Sequence, residues 1–166
     1  IPSCAWHFSS KGKKGKFNRL RAAELKLTET QRAGLARGVD QTLEDGKVLS
    51  ADEFRSPDSD VISAVLSGDT SEMSKGITSL EHCNVLVHES TFLDEWKGHA
   101  TKFLHSTASG AARTAKSSGA RHLVLTHFGA RIKGTEDLLS QAQEQLEGSL
   151  ISLSAASDGD RIQVSK

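Results

Sequence analysis

From residue 61 onward the chain alternates short apolar runs with polar turns. Residues 61–66, rich in Val and Ile, stop abruptly at Ser67-Gly68-Asp69-Thr70, the pattern of a buried strand running into a turn. Asn84-Val85-Leu86-Val87-His88-Glu89-Ser90 and His122-Leu123-Val124-Leu125-Thr126-His127-Phe128 repeat the design. Between them Ala108, Ala111, Ala112 and Ala115 recur at i, i+3, i+4 and i+7, which predicts a helix whose small-residue face can lie close to a sheet. Ser106 or Thr107 can cap it and Gly119 can stop it. A second helix is predicted over 136–147, with Thr135 as cap, Gly148 as stop, and Leu138, Leu139, Ala142 and Leu146 on one side. Residues 149–155 and 161–164 read as closing strands joined through Asp158-Gly159. This alternation predicts an α/β layer architecture.

The first 60 residues are patterned differently. Residues 5–8 suit a strand, 11–16 a Gly-Lys loop, 21–27 a short helix, and Asp45-Gly46 between alternating apolar positions a hairpin. Their apolar content looks too small for a core of its own, so this region is expected to be an excursion that projects from, or wraps over, the domain.

At 166 residues, with 36% hydrophobic and 25% charged positions, the chain fits one domain and contains no apolar run of membrane-spanning length. Cys4 and Cys83 stand far apart without C-x-x-C spacing, which points to neither a disulfide framework nor a thiolate zinc site; an intracellular, reducing compartment is expected. The sequence opens on Ile1, which suggests a fragment or a processed product. Net charge is zero, but residues 1–38 hold nine basic residues and two acids. Lys11, Lys13, Lys14, Lys16, Arg19 and Arg21 follow one another without an acid, either as a polyanion-binding stretch or as a solvated loop.

Three predicted strands end in titratable groups: Asp69, His88 with Glu89, and His127. In α/β sheets, sites gather beyond strand ends, where loops present side chains from a rigid scaffold. With His105 these residues make a ligand set suited to zinc, although each histidine taken singly reads equally as a hydrogen-bonded structural residue. His7, His82, His99 and His122 are left at that structural reading.

The ordered motifs Leu66-Ser67-Gly68-Asp69-Thr70, Val85-Leu86-Val87-His88-Glu89-Ser90-Thr91-Phe92, His105-Ser106-Thr107-Ala108 and Leu123-Val124-Leu125-Thr126-His127-Phe128-Gly129-Ala130-Arg131 resemble the C-terminal half of ribonuclease Z, the tRNA 3′-processing endonucleases of the metallo-β-lactamase superfamily. The resemblance runs back through Gly15-Lys16-Phe17 and Thr42-Leu43-Glu44-Asp45-Gly46-Lys47. It implies the C-terminal half of an αββα sandwich over 1–166, with 15–57 as a protruding tRNA-binding arm. It also implies zinc, two ions in the complete domain, with Asp69 as bridging carboxylate and His127 as terminal ligand. His105 would protonate the leaving 3′ oxygen, Glu89 would orient it, and Arg131 would contact a phosphate. The basic residues 11–21 would then grip precursor tRNA. A homodimer or a complementary N-terminal half is the expected protein partner.

Three departures accompany the resemblance. The family's H-x-H-x-D-H motif occurs nowhere in the chain, so the isolated chain is expected to be inactive, with half a sandwich and an open apolar sheet face. Glu29-Thr30-Gln31-Arg32-Ala33-Gly34 stands where the family carries a Gly-Pro-rich turn, which predicts a shorter arm with an altered grip. Gly129 and Ile132 stand where it carries Ser and Tyr. A second reading is a metal-free half-domain that binds RNA or a partner without cleaving.

Overall fold

The computed structural model describes residues 3–164, so Ile1, on which the fragment reading rests, lies outside the described residues. In chain order the strands are β1 (Trp6–Ser9), β2 (Gln41–Thr42), β3 (Val48–Leu49), β4 (Ser63–Leu66), β5 (Cys83–Glu89), β6 (Ala120–Thr126) and β7 (Ser152–Ala155). The α-helices are α1 (Arg19–Glu24), α2 (Glu29–Ala36), α3 (Lys75–Thr78), α4 (Lys97–Phe103), α5 (Ala108–Ser117) and α6 (Glu136–Leu146). They form two compact units, one of the described residues up to Ser10 and from Ile62 onward, the other of Lys11–Val61.

The first unit is built on a five-stranded sheet of order β1-β4-β5-β6-β7, with β1 antiparallel and the other neighbours parallel. Parallel pairing needs crossovers, and α3, α5 and α6 lie in them. Ala108, Ala111, Ala112 and Ala115 are fully buried, as their spacing predicts, and share a core with Leu86, Leu123, Leu125, Leu138 and Leu146. Each fully buried Leu contributes about 1.5–3 kcal/mol. Thr107 is the cap of α5, accepting from the Gly110 N–H at 3.1 Å, and Gly119 turns the chain at φ +62°. Another face is less covered: Trp6 pairs with Leu66 across β1 and β4, Phe8 follows two residues on, and these three are 64, 42 and 55% exposed in that order.

Two expectations need correction. Residues 149–151 lie between α6 and β7 rather than starting the strand: Ser149 closes the turn after α6, donating to the Leu146 carbonyl through both its N–H (2.9 Å) and its hydroxyl (2.7 Å). Residues 161–164 form no strand, because the turn closed by Ser157 N–H to Asp160 Oδ2 (2.8 Å) leads into only two apolar residues, Ile162 and Val164, too few to hold a further strand.

The second unit overturns the expectation that the N-terminal region lacks a core. Ala22, Leu27, Leu35, Leu49, Ala51 and Phe54 are at most 4% exposed and pack together, with the Phe17 and Phe54 rings stacked at 6.1 Å. Their positions follow no single period because α1, the connection after it, α2, β3 and a short 3₁₀ turn each contribute one or two, so no stripe betrays them. The Glu29–Gly34 stretch is helical: Thr28 and Gln31 form a capping box, each side chain bonding the other's backbone N–H (3.3 and 2.9 Å). Its helix α1 begins two residues before the predicted start, where the Asn18 side chain accepts from the Arg21 N–H at 3.0 Å. The Asp45-Gly46 hairpin forms with Gly46 at φ +82°.

The lysine loop is anchored by its main chain. Lys13 N–H donates to Ser59 Oγ (2.6 Å), Gly15 N–H to Asp58 Oδ1 (2.7 Å) and Lys16 N–H to Ser56 Oγ (2.8 Å). A Cβ on Gly15 would lie 1.5 Å from the Ser56 carbonyl oxygen, so no other residue fits there.

Truncating Phe54 to Ala is expected to cost about 3–5 kcal/mol, read by urea denaturation and by new proteolytic cuts within 11–61. His88 gives a pH dependence. Its buried ring donates Nδ1–H to the Glu89 carbonyl at 2.7 Å, Nε2 has no partner among the described residues, and burial pushes its pKa below the ordinary value. The neutral ring therefore contributes stability that is complete above the unfolded value of about 6.5 and falls by up to ~1.4 kcal/mol per unit as pH drops below it. Denaturation at pH 7 and 5.5 is expected to show that slope, and His88→Gln to flatten it.

Candidate active site

Glu89 ends β5 with its side chain 1% exposed, and a buried carboxylate must have its oxygens bonded. Oε1 accepts from the Thr70 N–H (3.1 Å), the Ser106 N–H (3.0 Å) and His105 Nδ1 (2.8 Å). Oε2 accepts from the Thr91 N–H (3.0 Å) and the Thr91 hydroxyl (2.8 Å). Loops after β4, after β5 and before α5 thereby converge on one side chain.

Around it the structure gathers Asp69, His105 and His127, one donor atom of each lying within 4.8 Å of the others. His105 Nδ1 faces Glu89, and the two imidazole rings stack at 5.6 Å between centroids. His127 Nδ1 lies 2.9 Å from Thr91 Oγ1 and 3.5 Å from Asp69 Oδ1. Because the Thr91 hydroxyl spends its single hydrogen on Glu89, it can only accept from the histidines, so His127 carries its hydrogen on Nδ1. His105 is set the same way by the carboxylate. The neutral form of each ring then has Nε2 free to bind a metal or accept a proton. The Asp69 and His127 side chains are 58 and 51% exposed, open to a ligand.

Left-handed backbone delivers both histidines. Leu104, immediately before His105, has φ +60°, and His127 itself has φ +54°. Outside glycine this conformation costs roughly 1–2 kcal/mol per residue, and the Glu89 network holds it in place. Gly129 closes on the Thr91 carbonyl, its N–H donating at 3.1 Å, and a Cβ there would approach that oxygen to 2.5 Å.

Of the other residues singled out in the sequence, Arg131 lies in the same unit with its guanidinium carbon 5.2 Å from the centre of the Trp96 ring. Lys11, Lys13, Lys14, Lys16 and Arg19 are exposed in the Lys11–Val61 unit. Arg21 also belongs there, paired with Glu53 at 2.8 Å and lying over Phe54. His122 bonds Ser154 Oγ (2.8 Å) and His82 the Gly119 carbonyl (3.2 Å), structural roles as read. Thr91, the link between Glu89 and both histidines, was given no role by sequence reasoning; its position two residues beyond Glu89 at a strand end was the available signal.

Comparison with known proteins adds the context for this geometry. A ribonuclease Z of Myxococcus xanthus is 38% identical over 81% of this chain and 44% of its own length. One of Brevibacillus brevis is 36% identical over 87% of this chain and 48% of its own. The chain is a relative of ribonuclease Z. It spans about half the length of the curated relatives it matches. Among solved structures, the metallo-β-lactamase fold protein YhfI of Bacillus subtilis superposes with a TM-score of 0.52 and 25% identity over 60% of this chain and 39% of that one. No family model matches. The mixed sheet with its flanking helices is a partial metallo-β-lactamase fold, as the ribonuclease Z resemblance implied.

Removing the Glu89 carboxylate leaves three backbone N–H groups without their acceptor. Glu89→Ala is expected to destabilise the fold by about 3–5 kcal/mol, and Glu89→Gln by less; urea denaturation measures both.

Proposed function

We propose that this chain forms part of a metal-dependent endoribonuclease that removes the 3′ trailer of tRNA precursors by phosphodiester hydrolysis. The observation that carries this reading is the meeting of Asp69, His105 and His127 at the ends of separate elements, in a chain whose relatives are named ribonuclease Z. The donor set fits a zinc ion, Asp69 and His127 offering a carboxylate and an imidazole close enough together to share it. Asp69 and His127 would hold the metal, which when bound activates the attacking water as hydroxide and offsets charge on the phosphate.

The remaining chemistry belongs to the chain's own residues. His105, held by Glu89 at Nδ1, offers Nε2 as the group that protonates the departing 3′ oxygen. Glu89 positions that ring through its bond to Nδ1. Arg131 would contact a substrate phosphate. The segment 15–57 would act as an arm on the body of the tRNA, with Lys11, Lys13, Lys14, Lys16, Arg19 and Arg21 supplying salt-dependent phosphate contacts.

Zinc takes about four ligands in such sites, and with His105 kept as the acid this chain contributes two. The chain alone is then expected to be inactive, and a complementary half carrying H-x-H-x-D-H would complete the two-zinc centre in an intracellular, reducing compartment.

The test is zinc content together with cleavage of a 3′-extended tRNA precursor, for the chain alone and mixed with a separately produced H-x-H-x-D-H half. Metal and cleavage are expected only in the mixture. There His105→Ala should lower the rate about 10²–10⁴-fold with zinc retained, whereas Asp69→Ala should lose zinc as well. RNA binding without metal or cleavage in either sample would sink the catalytic reading and leave a non-catalytic binding half-domain.

A further inference from the structure

Residues 55–60, Arg55-Ser56-Pro57-Asp58-Ser59-Asp60, run alongside the lysine loop within the same compact unit. The two stretches are bonded in both directions at two places. Ser56 N–H donates to the Lys16 carbonyl (3.1 Å) while Ser56 Oγ accepts from the Lys16 N–H (2.8 Å), and Ser59 does the same with Lys13 (2.8 and 2.6 Å). Arg55 Nη1 donates to the Gly15 carbonyl at 3.1 Å, which brings a further cation to the loop. A serine hydroxyl thus sits on the backbone of Lys16, in a stretch where Lys11, Lys13, Lys14, Lys16, Arg19 and Arg21 follow one another without an acid. Arg21 is already paired with Glu53, so the charges open to an outside anion are mostly those of the loop.

The two hydroxyls differ in access. Ser56 is exposed and Ser59 half-buried. Ser56 also precedes Pro57, which disfavours helix and keeps it extended. An extended chain is the form a kinase cleft takes, and Ser-Pro is the dipeptide that proline-directed kinases accept. A phosphoryl group on Ser56 would bring about −1.5 to −2 of charge and three acceptor oxygens to this place. The Lys16 N–H already points at Oγ, and a bond to a phosphate is stronger than one to a hydroxyl, so the anchoring is kept while the positive field of the loop is cancelled.

We propose that Ser56 is a phosphorylation site that weakens polyanion binding by the lysine loop. In the transfer Oγ attacks the γ-phosphorus of a nucleoside triphosphate, and the bond from that phosphorus to the bridging oxygen breaks. The nucleoside diphosphate leaves and the hydroxyl proton passes to the kinase's carboxylate base. Each cation neutralised is one contact fewer that releases a counterion, so the signature is a smaller dependence of binding on salt in a protein that stays folded. This rests on the ribonuclease reading for tRNA as the polyanion, but not for the charge switch itself.

The experiment treats the whole chain with a proline-directed serine kinase and ATP, and locates the product by intact mass and peptide mapping. One phosphoryl group on Ser56 is expected, absent in Ser56→Ala and present in Ser59→Ala. Binding of a short DNA duplex and of precursor tRNA is then measured between about 50 and 200 mM salt. The phosphorylated chain should bind the duplex about tenfold or more weakly at the low end, with the slope of log K against log salt reduced by about 1.5–2. Ser56→Asp, with a single charge, should reduce that slope by about 1, and the urea midpoint should stay where it is in both. No incorporation at Ser56, no duplex binding by the unmodified chain, or an unchanged slope overturns the switch. So does weaker binding accompanied by a lower urea midpoint and new proteolytic cuts within 11–61, which would mean that the group breaks the loop instead of neutralising it. Precursor tRNA bound with the same affinity and slope before and after phosphorylation overturns the switch alone. A duplex that responds as expected while precursor tRNA does not bind supports the switch and counts against the ribonuclease reading.

Discussion

The buried carboxylate of Glu89 is the constraint on which the site depends. A carboxylate out of water requires several donors, and here they come from Thr70, Thr91, Ser106 and His105, residues spread over three loops. Satisfying one charge thus fixes where the β4 loop, the β5 loop and the start of α5 meet. The Ser106 hydroxyl adds a bond to the Thr70 carbonyl at 2.8 Å, closing the circuit. The histidines inherit their positions from this arrangement rather than from packing, since His127 is half exposed. The same network offsets the left-handed backbone at Leu104 and His127, a local cost that an unsupported loop would relieve by moving.

The sheet unit was legible because its strands and its helices α5 and α6 obey clear periods. The alanine spacing in α5 identified its buried face, and the apolar runs placed β4, β5 and β6 within two residues at most ends. Convergence of Asp69, Glu89, His105 and His127 could be anticipated from strand ends and motif order, but their distances could not, because they depend on hydrogen bonds between segments far apart in sequence. Thr91 illustrates the limit: nothing local distinguishes it from any threonine beyond a strand, and its role appears only when Glu89 and His127 are both adjacent.

The Lys11–Val61 unit was misjudged for another physical reason. Counting apolar residues undervalues a core assembled from short elements, where a single Phe54 gathers residues from α1, α2 and β3 around it. The Thr28–Gln31 capping box has its own signature in the sequence, Thr-x-x-Gln, which marks a helix start at the stretch where the family carries a Gly-Pro-rich turn.

The anchoring of the lysine loop has a thermodynamic consequence. Backbone bonds from Lys13, Gly15 and Lys16 to Ser59, Asp58 and Ser56 order this segment when the protein folds. Fixing a residue's backbone costs about 1–2 kcal/mol, and for these residues that cost is met before any ligand arrives. On the proposed reading, an incoming polyanion would have only lysine side-chain rotamers left to order, and the loop would act as a rigid comb of charges whose attraction is not consumed in folding the loop around its target.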